Sequence, residues 1–120
     1  MNTSLDQKIT LLAGWLHDKK ASDIKAKDVR GLSSIADAVI IVSAGSTRHA
    51  QSLADTLMEH LKEKGMEYIG MEGYQAGNWI LVDCNDILVH IFQGENRSFY
   101  NLEGLYSGSR DIEPELDHDA

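Results

Sequence analysis

Apolar residues recur at helical spacing in two stretches of this chain, and short strand-like runs lie between and after them. Leu5, Ile9, Leu12 and Leu16 repeat about one turn apart, with Trp15 beside them, which predicts a first helix. Ser4 stands three residues before Gln7, the spacing at which the two side chains cap each other's backbone N–H groups. Asp18-Lys19-Lys20 closes the helix with cations where its dipole favours them. Asp23 to Val29 alternates polar and apolar residues, which predicts a half-exposed strand. An edge position suits it, because lysines discourage further pairing there. Gly31 to Ser34 makes a turn. Ile35 to Ser43 is nearly all apolar and β-branched, which predicts a buried central strand.

A second helix follows Ala44-Gly45-Ser46-Thr47, with Ser46 or Thr47 as its N-cap. Ala50, Leu53, Ala54, Leu57, Met58 and Leu61 trace one face of it, and Gly65 closes it. Glu67 to Met71 reads as a short strand. Met71 to Tyr106 then holds a glycine-bearing loop, a hairpin of two apolar strands and a short aromatic helix. The element order predicts an α/β fold: a mixed β-sheet of about five strands flanked by helices, with one right-handed parallel crossover at residues 35–71. In the hairpin, residues 79, 81 and 83 share one face, and 88, 90 and 92 share one face of the next strand. Both strands are apolar on both faces. One face packs on the helices, and the other needs a loop, a helix or a partner to cover it. Trp79 is a residue type that favours interfaces, although a core or rim tryptophan fits the same pattern.

The bulk numbers narrow the class. At 120 residues the chain is long enough for one domain with a core of its own. With 42% hydrophobic and 25% charged residues it reads as a globular protein. A single cysteine, Cys84, excludes an internal disulfide framework and suits a reducing compartment. No apolar run approaches the ~20 residues that span a bilayer. The first residues look like neither a signal nor a transit peptide, so the expected location is the cytoplasm, with no membrane partner. The net charge is −8. Half of it falls in residues 107–120, an acidic segment expected to be a disordered tail outside a 1–106 domain. This balance disfavours direct nucleic-acid binding and attracts a basic protein partner.

Chemistry is sparse. No phosphate-binding glycine motif occurs; Gly45-Ser46 before a helix is the nearest approach, and a strand–helix turn with its cap is the better explanation of it. Paired carboxylates able to clamp catalytic cations are missing from the strand after that helix. Asp83 and Asp86 bracket a hairpin turn, where carboxylates are common turn formers. The five histidines form no i, i+4 pair, and Cys84 has no partner thiol, so neither a metal nor another cofactor is expected. A Cys84–His90 nucleophile is opposed by the turn between them. His90 reads first as a core histidine.

The segments Met71-Glu72-Gly73-Tyr74, Trp79-Ile80-Leu81-Val82-Asp83, Asp86-Ile87-Leu88-Val89-His90-Ile91-Phe92 and Arg97-Ser98-Phe99-Tyr100-Asn101-Leu102-Glu103 together resemble the ribosomal silencing factor family, also called Iojap-like. Asp28-Val29-Arg30-Gly31-Leu32-Ser33, Ala36-Asp37 and Gly45-Ser46-Thr47-Arg48-His49-Ala50-Gln51 extend the resemblance, which covers roughly residues 5–106. It implies a nucleotidyltransferase-like fold without the catalytic carboxylates, and a translation repressor rather than an enzyme. The implied partner is the large ribosomal subunit, bound at universal large-subunit protein fourteen so that the small subunit cannot join. A homodimer and a role in large-subunit assembly are also implied. By analogy the contact surface comprises Glu72, Gly73, Tyr74, Gly77 and Trp79, with Asp83 and His90 on neighbouring hairpin positions. The chain departs from the family at Ala38-Val39, Gly77-Asn78, Gly104 and Tyr106. The competing reading is a small nucleotide-binding or nucleotidyltransferase enzyme using Gly45-Ser46 and a lone ligand, Asp37.

Overall fold

Ser4 and Gln7 form the expected capping box: Gln7 N donates to Ser4 Oγ at 3.2 Å and Ser4 N to Gln7 Oε1 at 3.0 Å. From there helix α1 runs over Leu5–Asp18. In this computed structural model, residues 4–114 and 116 are described. Strands β1 (Ser22–Asp28) and β2 (Ala38–Ala44), helix α2 (Thr47–Glu63) and strands β3 (Gly70–Glu72), β4 (Trp79–Asp83) and β5 (Ile87–Gln93) follow. Two short helices, α3 (Asn96–Tyr100) and α4 (Leu102–Leu105), precede a last strand, β6 (Arg110–Ile112). Ser46 caps α2 by accepting from His49 N at 3.0 Å. Gly65, at φ +67°, ends it, and Met66 N donates back to the Leu61 carbonyl at 2.8 Å.

The strands form one mixed sheet in the order β3-β4-β5-β2-β1-β6. β2 and β5 are parallel; the other neighbouring pairs are antiparallel. The crossover after β2 leads to β3, which is parallel to β2 but lies beyond β5 and β4. The central strand begins at Ala38 rather than Ile35, because pairing with β5 begins there and the Asp37 and Ala38 N–H groups donate to the Asp86 carbonyl. Ile35 is left 76% exposed.

Two expectations are corrected. Residues 110–112 of the expected disordered tail form β6, paired with Ala26–Asp28, and Ile112 is buried. The sheet therefore has six strands, and β1 is not an edge: Lys27 Nζ meets Asp111 Oδ1 at 2.7 Å instead of guarding against pairing. The tail expectation for residues 115 and 117–120 lies outside the described residues.

Cross-strand partners point to the same side, so the register sorts the sheet into two faces. Ile40, Val42, Ile80, Val82, Val89 and Ile91 lie under α1 and α2 and form the core with Ile9, Leu12, Leu16, Leu53, Leu57 and Leu61. Val39, Ile41, Leu81, Leu88, His90, Phe92 and Trp79 point the other way.

Candidate functional site

The face turned away from α1 and α2 carries an aromatic cluster built by hairpin register. Trp79 pairs with Phe92, Leu81 with His90 and Asp83 with Leu88. The Trp79 ring lies 5.2 Å from Phe92 and 4.5 Å from Tyr100, which α3 supplies. Phe92 is fully buried, Trp79 is half-buried, and Tyr100 and Phe99 are 49% and 76% exposed. Arg97 fastens α3 to the sheet, donating from Nη1 to Ser43 Oγ at 2.9 Å and from Nε to Glu103 Oε1 at 2.8 Å.

Trp79 Nε1 donates to His90 Nδ1 at 3.0 Å. An accepting Nδ1 requires the neutral imidazole with its hydrogen on Nε2. Burial supports that state, lowering the His90 pKa to about 4. His90 Nε2 is itself buried and finds no partner among the described residues.

The residues expected at a contact surface divide into two groups. Glu72, Trp79, Asp83 and His90 share the open face. Glu72 is exposed at the end of β3, and Asp83 is tied to the turn, its Oδ1 accepting from Asn85 N at 2.9 Å. Gly73, Tyr74 and Gly77 instead fasten the loop before β4. Tyr74 donates its hydroxyl to Asp55 Oδ2 on α2 at 3.0 Å, and Gln51 Nε2 donates to the Tyr74 carbonyl at 2.9 Å. Gly73 (φ +80°) and Gly77 (φ +70°) allow this, since a Cβ would run into the Trp79 carbonyl at the first and Thr47 at the second. Phe92, Leu81 and Leu88 complete the face; the pairing of Trp79 with Phe92 across the hairpin was the signal for them.

The competing chemistry is not assembled. Cys84 lies in the core beneath the helices, its thiol pushed up to about 12 by burial, while His90 faces the opposite side of the sheet. At Gly45-Ser46, Ser46 Oγ caps α2 and Gly45 N donates to His49 Nδ1 at 2.9 Å. Asp37 and Ser46 flank opposite ends of β2, on the order of 20 Å apart for a strand of this length. Asp37 instead lines a cleft of about 530 Å³ with Lys8 and Asp86, which pair at 2.8 Å. Among the described residues, no group of three or more His, Cys, Asp or Glu is placed to hold a metal, and no helix is long and apolar enough to cross a membrane.

Comparison with known proteins gives a consistent result. The sequence profile described as "ribosomal silencing factor during starvation" matches residues 2–120. A ribosomal silencing factor from Halalkalibacterium halodurans is 34% identical over 112 residues, covering 93% of this chain and 96% of the relative. A mouse protein named for mitochondrial assembly of the ribosomal large subunit is 31% identical over 102 residues, covering 82% of this chain and 45% of its own length. The crystal structure of a Chromobacterium violaceum protein superposes with a TM-score of 0.81 at 32% identity, covering 98% of this chain and 96% of that one.

Proposed function

The chain belongs to the ribosomal silencing factor family, and from that premise we propose that it represses translation by binding the large ribosomal subunit at universal large-subunit protein fourteen and blocking small-subunit joining. The observation that carries this reading is the accessible side of the aromatic sheet face, where Glu72 is exposed and Trp79 half-buried while Val39, Ile41, His90 and Phe92 beside them are buried. Trp79 stands half-buried among Phe92, Tyr100 and His90, on the side away from both long helices. A partly exposed tryptophan seated on other rings is the kind of residue that dominates protein interfaces. Glu72 and Asp83 share that face in a chain of net charge −8, which favours a basic protein surface. In this reading the protein is not an enzyme. It acts by occupying space, in the bacterial cytoplasm, as a homodimer.

The test is co-sedimentation with purified large subunits, with and without small subunits. Truncating a central aromatic typically costs ~2 kcal/mol or more, so Trp79→Ala should bind roughly thirtyfold more weakly at ~1.4 kcal/mol per decade. Binding equal to wild type would remove the site assignment. Failure of bound protein to exclude small subunits would instead favour a role in large-subunit assembly, the reading that the name of the mouse relative supports. Thermal stabilisation by nucleotides with magnesium would favour the enzyme reading, and a flat response is expected.

A further inference from the structure

The direct neighbours of His90 on this face, Ile41 and Leu81 across the strands and Leu88 and Phe92 along its own, are apolar, with Val39, Ser43, Trp79 and Asp83 on the diagonals. A leucine or valine would fill position 90 without burying polar atoms. The imidazole there is 6% exposed, and its Nε2 has no partner among the described residues. A buried donor left unbonded destabilises a fold. Packing alone therefore gives no reason for a histidine at this position. The hydrogen bond shown for its ring is the one from Trp79 Nε1, 3.0 Å from Nδ1.

That bond has a directional effect. The other contacts of the indole, with Phe92 and Tyr100, are ring stacking and tilted packing, which tolerate sliding and rotation. A hydrogen bond from Nε1 to a ring fixed in β5 selects one side-chain orientation of Trp79. We propose that His90 is the positioning residue of this face: through Nδ1 it holds the Trp79 indole in the orientation in which that ring meets the partner. The inference rests on the docking reading above and assigns His90 a role within it. Immobilising a side chain before association removes part of the entropy lost on binding, an effect of roughly tenfold in affinity.

Two substitutions at position 90 test the acceptor. The Asn Oδ1 lies as many bonds from Cα as imidazole Nδ1, so His90→Asn keeps an acceptor for the indole, while its Nδ2 amide puts two N–H donors in place of the buried Nε2–H. His90→Leu removes acceptor and donor alike. The experiment compares the full-length wild type, His90→Asn, His90→Leu and Trp79→Ala. Their affinities for purified large subunits are measured alongside thermal midpoints and the ¹⁵N-indole NMR spectrum, in which Trp15 serves as the internal reference. His90→Leu should melt no lower than wild type yet bind about tenfold more weakly. Its Trp79 indole N–H should exchange with water faster. His90→Asn should bind within about threefold of wild type and keep a protected indole. A purely structural histidine would shift the midpoint and leave affinity alone.

If His90→Leu binds as wild type while Trp79→Ala does not, the docking reading stands and the positioning role is overturned. If Trp79→Ala binds as wild type, the docking reading falls, and this role falls with it. Should His90→Leu fail to fold, His90→Asn decides. Affinity near wild type supports the role, and affinity as low as that of Trp79→Ala in a folded protein overturns it.

Discussion

Arg110 Nη2 lies 3.1 Å from Asp28 Oδ2, so an ion pair joins the last strand to the strand beside it. Asp28 is buried and also accepts from Arg30, through Nη2 at 2.6 Å and the backbone N at 3.0 Å. These bonds, those of Arg30 foremost, hold its carboxyl far below the usual carboxylate range against the opposing effect of burial.

Asp28→Asn should therefore destabilise the fold by about 2 kcal/mol at neutral pH, the scale for hydrogen bonds to a charged group. The folded-state pKa is below the ordinary 3.8, so the stabilisation is complete above 3.8 and fades as pH falls below it. Urea unfolding should show a gap between wild type and variant at pH 7 that narrows towards pH 2. A gap independent of pH would mean that the carboxylate charge is not what matters.

Gly73 and Gly94 separate two roles of glycine. Both have positive φ, but a Cβ on Gly73 meets the Trp79 carbonyl, whereas nothing lies within 4 Å of one on Gly94. Gly94→Ala should cost about 1 kcal/mol for its backbone conformation alone. Gly73→Ala must also displace the start of β4. It should cost at least twice as much in urea unfolding, and it should weaken large-subunit binding because Trp79 moves with its carbonyl. Equal costs would show that the loop yields freely.

The features legible in the sequence were those set by local spacing. The Ser4/Gln7 capping box, the buried face of α2 and the Gly65 terminus all depend on residues within a turn or two of each other. β6 was not legible. Ile112 is its single apolar residue, among acids, and it becomes a strand only because β1 offers Asp28 to Arg110 and Lys27 to Asp111. The start of β2 was likewise set by a distant strand, β5. At the candidate site, alternation put Trp79 with Asp83 on one face of their strand and His90 with Phe92 on one face of the next, and the Trp79–Phe92 and Leu81–His90 pairing made these the same face. The grouping of Gly73, Tyr74 and Gly77 with them did not anticipate that Asp55, Gln51 and Thr47 would hold that loop against α2.

Lys20 offers a stabilising change. It follows the C-cap of α1 at φ +70°, and Ala21 N donates back to the Leu16 carbonyl at 3.0 Å. This is the left-handed position that glycine usually occupies at a helix end. A side chain there is strained, while glycine adds freedom to the unfolded chain, so Lys20→Gly should gain about 0.5–1 kcal/mol. Gly65 already occupies the equivalent position after α2, and Gly65→Lys should lose a similar amount. Thermal or urea midpoints moving in opposite directions for the two variants would bear this out. A destabilised Lys20→Gly would show that the lysine side chain stabilises the helix end by more than the strain it carries.

His90 makes the fold sensitive to mild acid. Burial lowers its pKa from 6.5 to about 4, so the unfolded chain takes up a proton at this residue before the folded protein does. The stability associated with neutral His90 is complete above pH 6.5 and is lost progressively as pH falls from 6.5 through 4. With 1.36 kcal/mol per pKa unit, the full loss is about 3 kcal/mol. Leucine at position 90 takes up no proton, so His90→Leu should keep that stability. Many carboxylates titrate near the lower end of this range, but they do so in both proteins and cancel in the comparison. Urea unfolding at pH 7.5 and 4.5 should therefore show wild type losing about 2–3 kcal/mol more than His90→Leu. A proton added at Nδ1 also removes the acceptor for Trp79 Nε1, so in the folded protein the Trp79 indole N–H should stay protected while this stability fades and lose protection only as pH falls through about 4. Equal losses in the two proteins would place the acid-sensitive group elsewhere.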